Sequence, residues 1–339
     1  MVTFTPKFRY SHALSNEAYR FYFCDRHSKL VVRQTSWQGA KMEHKTPLEI
    51  IEFTDPVCTW CWGSEPVLRK LQTHYKDQVR ISFVMGGLVE DITEFYDDWN
   101  HIGGDPDASN QAIVSHWLEA SQRHGMPVRS EGFALFSKEY PSTYPQNIAY
   151  KAAQMESEML AHHLMRRMRE ASAAEAKQTS RMEVLVELAS EVGLDITKFI
   201  ERMSDGSAEK AFKEDQKLVS HYAITGFPSF LIRYGNKELV LRGYQKYSAF
   251  KSVIKMFGGG HLKEIGVGKT PEDVLDFIAY YGRVTPKEIE ETFEFQKEVA
   301  HAIVETLRKD GLVKITPVGN GHFIDFVEEA SCSGNVCGM

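Results

Sequence analysis

Cys58-Thr59-Trp60-Cys61 constrains this chain more than any other feature, because of where it stands. Leu48-Glu49-Ile50-Ile51-Glu52-Phe53 reads as a short buried strand, and the segment from Gly63 to Tyr75 reads as a helix with Pro66 inside it. Val79 to Met85 alternates apolar and polar residues as a second strand does. The cysteine pair therefore sits at the joint of a strand–helix–strand unit, whose two strands must run parallel. In that context two cysteines three residues apart read as a redox centre.

The chemistry follows from the joint. Cys58 lies at the start of the helix, beside unpaired backbone N–H groups and the positive end of the helix dipole. Both favour thiolate over thiol, so Cys58 is the expected nucleophile. Cys61 lies one turn deeper and is the expected resolving thiol, attacking the mixed disulfide that Cys58 forms with a substrate. A zinc site built on the same pair would need Cys332 and Cys337, or a histidine pair, as its other half. Neither spacing nor context favours that, so no metal and no organic cofactor is expected.

Two further elements gather around the pair. Ile224-Thr225-Gly226-Phe227-Pro228-Ser229-Phe230 puts a proline at the start of a later strand, where no ladder donor is needed. Phe227 and the tryptophans flanking Cys61, Trp60 and Trp62, are the expected substrate contacts. Glu52 stands in an otherwise apolar strand, six residues before Cys58. It is either a buried carboxylate able to move protons for Cys61 or an outward-facing strand residue, and the sequence leaves both open.

Asp55-Pro56-Val57-Cys58-Thr59-Trp60-Cys61-Trp62-Gly63, Met85-Gly86-Gly87-Leu88, a long helical stretch and Gly226-Phe227-Pro228-Ser229-Phe230 together resemble the DsbA-like thiol–disulfide oxidoreductases. Within that group the FrnE-like dithiol–disulfide isomerases are the nearest resemblance, over about residues 46–257. The resemblance implies an α/β thioredoxin-like fold with a large helical insertion at about 90–221, and disulfide oxidoreductase or isomerase activity on protein or peptide cysteines. It implies a thiol reductant or oxidant as redox partner. Cys58, Cys61 and Pro228 match the family's nucleophile, resolving thiol and cis-proline, and Glu52 falls where DsbA proteins keep a buried acid. The chain departs from the pattern in its Thr59-Trp60 dipeptide and in its C-terminal parts. A relative of the family offers a second reading, that of a redox-sensing adaptor that binds a regulatory protein for proteolysis.

The domain plan follows from the same pass. Residues 1–41 read as an N-terminal extension and 42–260 as the thioredoxin-like domain. Residues 270–330 read as three helices and a β-hairpin, a winged-helix-like module, and 331–339 as a flexible cysteine-containing tail. On the third helix Val299, Ala302, Ile303 and Leu307 are expected to face inward. Winged helices often read DNA, but residues 270–339 carry six basic against thirteen acidic side chains, a balance of −7. Phosphate binding needs a net basic face, so a protein-docking or dimerising role, with a second copy of the chain among the candidate partners, is expected instead.

Five cysteines and a formal net charge of −6 fit redox chemistry better than a structural disulfide framework or a general polyanion binder. No apolar run reaches the roughly 20 residues of a membrane span, and the N-terminus lacks a signal-peptide pattern, so the cytoplasm is the expected compartment. Cys332 and Cys337 could shuttle electrons to the Cys58–Cys61 pair by thiol exchange. Cys24 is a lone thiol without context.

Overall fold

The computed structural model describes residues 46–328, together with the backbone of two short strands earlier in the chain. Those strands, β1 (Phe23–Cys24) and β2 (Leu30–Val31), pair antiparallel in a unit of their own. The rest of residues 1–41, the Cys24 side chain and the tail with Cys332 and Cys337 lie outside the described residues.

From Pro47 onward the chain forms a second unit. β3 (Leu48–Thr54) leads through Asp55-Pro56-Val57 into α1 (Thr59–Tyr75) and then β4 (Val79–Met85). A small hairpin follows, β5 (Tyr96–Asp97) and β6 (Ile102–Gly103). Six helices come next: α2 (Pro106–His124), α3 (Tyr144–Gln154), α4 (Glu158–Arg169), α5 (Met182–Glu191), α6 (Ile196–Ser204) and α7 (Ser207–His221). One π turn, Glu170–Ala174, extends α4. β7 (Ser229–Tyr234), β8 (Lys237–Arg242) and α8 (Tyr247–Gly258) complete the core. The last described elements are α9 (Pro271–Tyr281), β9 (Arg283–Val284), α10 (Pro286–Phe293), α11 (Lys297–Lys309), β10 (Val313–Val318) and β11 (Gly321–Phe326).

The main sheet has the order β4-β3-β7-β8, with β3 parallel to β4 and antiparallel to β7. β3 is therefore central and covered on both faces, which is why its sequence is nearly continuous in apolar residues. Leu48 and Ile50 point to one face and pack with Val67, Leu68 and Leu71 of α1 and Phe250 and Ile254 of α8. Phe53, on the opposite face, packs with Val84, Leu231 and Ile224. Side chains alternate along a strand, so Glu52 shares the α1 face with Leu48 and Ile50. The helices between β4 and β7 have their own core, with Leu164, Met168, Leu185, Leu188, Phe199 and Phe212 at its centre.

The C-terminal elements dock tightly. β10 and β11 form an antiparallel hairpin, and β9 adds to β11. Ile289 and Phe293 of α10 are buried together with Val274, Ile278 and Val304. The other side of α10 lies on α1: His74 Nε2 is 2.9 Å from the Thr292 carbonyl, and Lys70 Nζ donates to Glu294 at 2.9 Å. The tip of the β10–β11 hairpin is held as well. Asn320 accepts from the Val128 N–H at 2.8 Å, returns its own N–H to the Val128 carbonyl at 2.9 Å, and donates through Nδ2 to Ser121.

A winged helix that reads DNA leaves its hairpin tip and recognition helix free for the duplex. Here the tip is bound to the helical insertion. We therefore expect no salt-sensitive mobility shift of duplex DNA by the full chain at physiological salt, and a specific, salt-dependent shift would contradict this. On α11 the inward face differs from the sequence expectation. Ala300, Val304 and Leu307 are buried, whereas Val299 is 46% exposed and Ala302 faces out. The expected set runs i, i+3, i+4, i+8 from Val299 and the observed one i, i+4, i+7 from Ala300. They share Leu307, Ile303 still packs against the core, and contact with α9 and β10 selects the observed face.

Candidate active site

β3 delivers the chain to a loop that places Cys58 as the N-cap of α1. Its Sγ accepts the N–H of Cys61 at 3.2 Å, and its own N–H donates to the Asp55 carbonyl at 3.1 Å. Both cysteines are unlinked thiols; Cys61 is fully buried and Cys58 is 6% exposed. The nucleophile position thus lies nearer solvent, with an N–H aimed at its sulfur.

Asp55 fixes this loop. Fully buried, it accepts from the N–H groups of Val57 (3.0 Å) and Leu88 (2.7 Å), from Thr143 Oγ1 (3.0 Å) and from Asn147 Nδ2 (2.8 Å). Burial pushes its carboxyl up against these four donors. The one side chain ties the cysteine loop to the Gly86–Leu88 turn and to α3.

Beneath Cys61 lies a buried charge cluster. Glu52 is fully buried: Oε1 is 3.3 Å from Arg169 Nη2, and Oε2 has no hydrogen-bond partner. Burial, helped by the negative charge of Glu65 and opposed by Arg169, raises its carboxyl to about 7. Cys61 is pushed well above the ordinary thiol value, by burial first, then by Cys58 and the Glu52 charge, again with Arg169 opposing. Arg169 comes from the end of α4. It pairs with Glu65 of α1 and donates to Thr54 Oγ1 at 2.7 Å. Burial alone would raise Glu65, but Arg169, Arg166 and Arg69 together hold it below the usual carboxylate range.

The state of Glu52 has a measurable consequence. Between pH 4.5 and about 7 the folded chain holds a proton that the unfolded chain releases, so this group makes stability fall as pH rises through that window. A displacement from 4.5 to about 7 corresponds to roughly 3 kcal/mol. Glu52→Gln should lack this slope, so denaturant unfolding should show it gaining on the parent chain from pH 4.5 to 7. Parallel stability curves would show that Glu52 does not titrate there.

The Phe227–Pro228 peptide bond is cis. Ser229 pairs with Phe53 across the sheet, so the loop carrying Pro228 lies at the same sheet end as the cysteine loop. The Phe227 ring lies on Gly86, where a Cβ would come within 1.9 Å of it, and Phe227 is partly exposed. A groove of about 620 Å³ runs from here, lined by Gly86, Leu88, Tyr96, Trp99, Thr225 and Phe227. Trp99 is 94% exposed at its rim.

The two tryptophans separate. Trp60 is partly exposed beside the pair, its ring meeting Tyr244 at 5.7 Å, His124 at 5.9 Å and His116 at 6.3 Å. Trp62 is fully buried; Nε1 donates to the Pro127 carbonyl at 2.9 Å, and Arg166 covers its ring at 4.5 Å. The expectation that Trp62 touches substrate is therefore corrected: it is a core residue. Sequence reasoning missed Asp55, Glu65, Arg169 and His124. His124 lies against Gly63, takes the Met126 N–H on Nδ1 at 3.0 Å, and is lowered to about 4 by burial.

A family model described as Thioredoxin matches residues 52–252. The chain belongs to the thioredoxin family. Its helices inserted between β4 and β7 give it the DsbA-like form of that fold. Among solved structures it is similar to a candidate protein disulfide isomerase from Nitrosomonas europaea, with a TM-score of 0.53 and 18% identity, covering 63% of this chain and 99% of that one. Among curated proteins it is similar to the ClpXP adapter protein SpxH of Halalkalibacterium halodurans, 24% identical over 85% of this chain and 92% of the relative. SpxH of Shouchella clausii is 26% identical over 82% of this chain and 88% of its own length. No helix among the described residues is long and apolar enough to cross a membrane.

Proposed function

We propose that the chain is a protein-binding adaptor for ClpXP whose Cys58–Cys61 pair switches between dithiol and disulfide. The adaptor role is supported by the name its curated relatives share, and by likeness that extends along most of both chains rather than over the thioredoxin core alone. The redox role is carried by one observation: two unlinked thiols at the first turn of a helix, with an N–H on the outer sulfur and an unpartnered carboxylate oxygen on Glu52 near the inner one.

In exchange, Cys58 thiolate attacks a partner disulfide, forms the mixed disulfide and releases one partner thiolate. Cys61 then gives its proton to Glu52 and attacks Cys58 Sγ, closing the Cys58–Cys61 disulfide and releasing the second partner thiolate. Pro228 and Phe227 would present an extended partner segment, with Trp60 at the rim. Glu52 favours a second reading, that of an oxidoreductase with turnover, because a passive sensor has no need of a carboxyl raised to about 7.

The two readings part on stoichiometry. The adaptor should reduce about one equivalent of a protein disulfide and bind ClpXP with an affinity that differs between its dithiol and disulfide forms. Many turnovers with glutathione as the recycling thiol, without ClpXP binding, would establish the enzyme reading and remove the adaptor one.

A further inference from the structure

The charge cluster under Cys61 does not end at Glu65. Arg166 Nη1 stands 3.4 Å from Glu65 Oε2 and, on its other side, grips Glu288 of α10 through Nη1 at 2.7 Å and Nη2 at 3.2 Å. Glu288 is fully buried and also takes Arg69 Nη1 at 3.0 Å. It is fixed in place because its Oε2 closes the N-terminal cap of α10, accepting the Thr285 N–H at 2.6 Å. A continuous buried path thus runs Glu288–Arg166–Glu65–Arg169–Glu52, from the C-terminal helices to the carboxylate near Cys61.

We infer that Glu288 is a positioning residue for the thiol pair: by holding Arg166 it sets how much of Arg169 is left for Glu52 and Cys61. The inference rests on the reading that the pair undergoes dithiol–disulfide exchange, and it concerns a residue that lies outside the matched thioredoxin segment.

The physical reason is charge sharing at low dielectric. Every cation in the path is shared between two or more anions, so removing an anion at one end redistributes its cation toward the next. Without the Glu288 charge, Arg166 leans on Glu65 and on Glu170, which it already meets at 2.8 Å. Glu65 then holds Arg169 less, and Arg169 holds Glu52 more. The loss of a negative charge acts in the same direction, so Glu52 should ionise more easily. Its titration is set by the groups that face it: Arg169, Glu65, Thr54 and, farther out, Tyr150 and Cys61. Arg166 in turn faces Glu65, Glu170, Glu288 and the Trp62 ring, while Glu170 also meets Arg167 and Arg283.

The test is a ¹³C NMR titration of the Glu52 carboxyl in the full-length dithiol chain, its signal assigned by its loss in Glu52→Gln. In the parent chain the break should fall near pH 7. In Glu288→Gln it should move down by roughly half to one pH unit, a three- to tenfold change in proton affinity. Glu288→Asp, which keeps the charge, should stay near the parent. Should Glu288→Gln not fold, Glu170→Gln takes a charge from the opposite side of Arg166 and must move the break the same way. A folded variant of either kind whose Glu52 break stays put overturns the inference, even if it is less stable. The titration reads a carboxyl and not turnover, so its failure is distinct from a failure of disulfide exchange.

Discussion

Cys58→Ser removes all disulfide exchange, whereas Cys61→Ser accumulates a mixed disulfide on Cys58. The asymmetry follows from the joint between β3 and α1. Cys58 is the thiol nearer solvent and has the Cys61 N–H on its sulfur, so only it can be reached by a partner disulfide. Cys61 is buried and raised well above the ordinary thiol value, so it reacts only when its proton has somewhere to go and an electrophilic sulfur is already beside it. Mass spectrometry after mixing each variant with oxidised glutathione reads the outcome directly. With the adducts located by peptide mapping, because Cys24, Cys332 and Cys337 can also take up glutathione, Cys61→Ser should carry a stable adduct on Cys58 and Cys58→Ser none on Cys61. An adduct on Cys61 in the Cys58→Ser chain would reverse the two roles.

Arg169→Met should cost about 3–5 kcal/mol of stability near pH 8, the usual effect of removing one partner from a buried ion pair. Glu52 and Glu65 would both be left buried without their shared guanidinium. Glu52 would then rise further above its unfolded value, and Glu65 would rise too, although Arg166 and Arg69 still face it, so the folded variant would bind more protons than the parent fold does. The deficit should therefore shrink as pH falls toward 4.5 and grow as it rises. Urea unfolding at pH 5.5 and pH 8 checks this. A deficit independent of pH would mean that Arg169 acts by packing alone, through its place over the Phe83 ring at 5.4 Å.

These two results depend on residues that the sequence reveals very unequally. The cysteine pair is legible because a strand, a two-residue spacing and a helix start are all local patterns. The proline at the start of β7 is legible for the same reason. Glu52 shows as an anomaly in an apolar strand, but which way it points depends on what covers the sheet. Arg169 gives no signal at all. It lies in the run Arg166-Arg167-Met168-Arg169, where only the tertiary placement of α4 decides which guanidinium turns inward.

Trp60 and Trp62 show the same limit in smaller compass. Two residues apart on a helix, they point to nearly opposite sides, and the spacing cannot say which side is the core. The C-terminal helices were legible as elements, through their proline-led first turns and capping residues. Their docking was not, because it rests on buried arginines of α1 and α4 meeting a glutamate more than a hundred residues away.

Cys58 and Cys61 should form a reversible two-electron centre. The most direct measurement is the equilibrium of the full-length chain with glutathione buffers of stepped redox poise, quenched by alkylation and read by peptide mapping. One intramolecular disulfide linking Cys58 to Cys61 should appear and disappear with the same midpoint from both directions. A chain in which that link never forms, or in which Cys58 pairs instead with Cys24, Cys332 or Cys337, would contradict it.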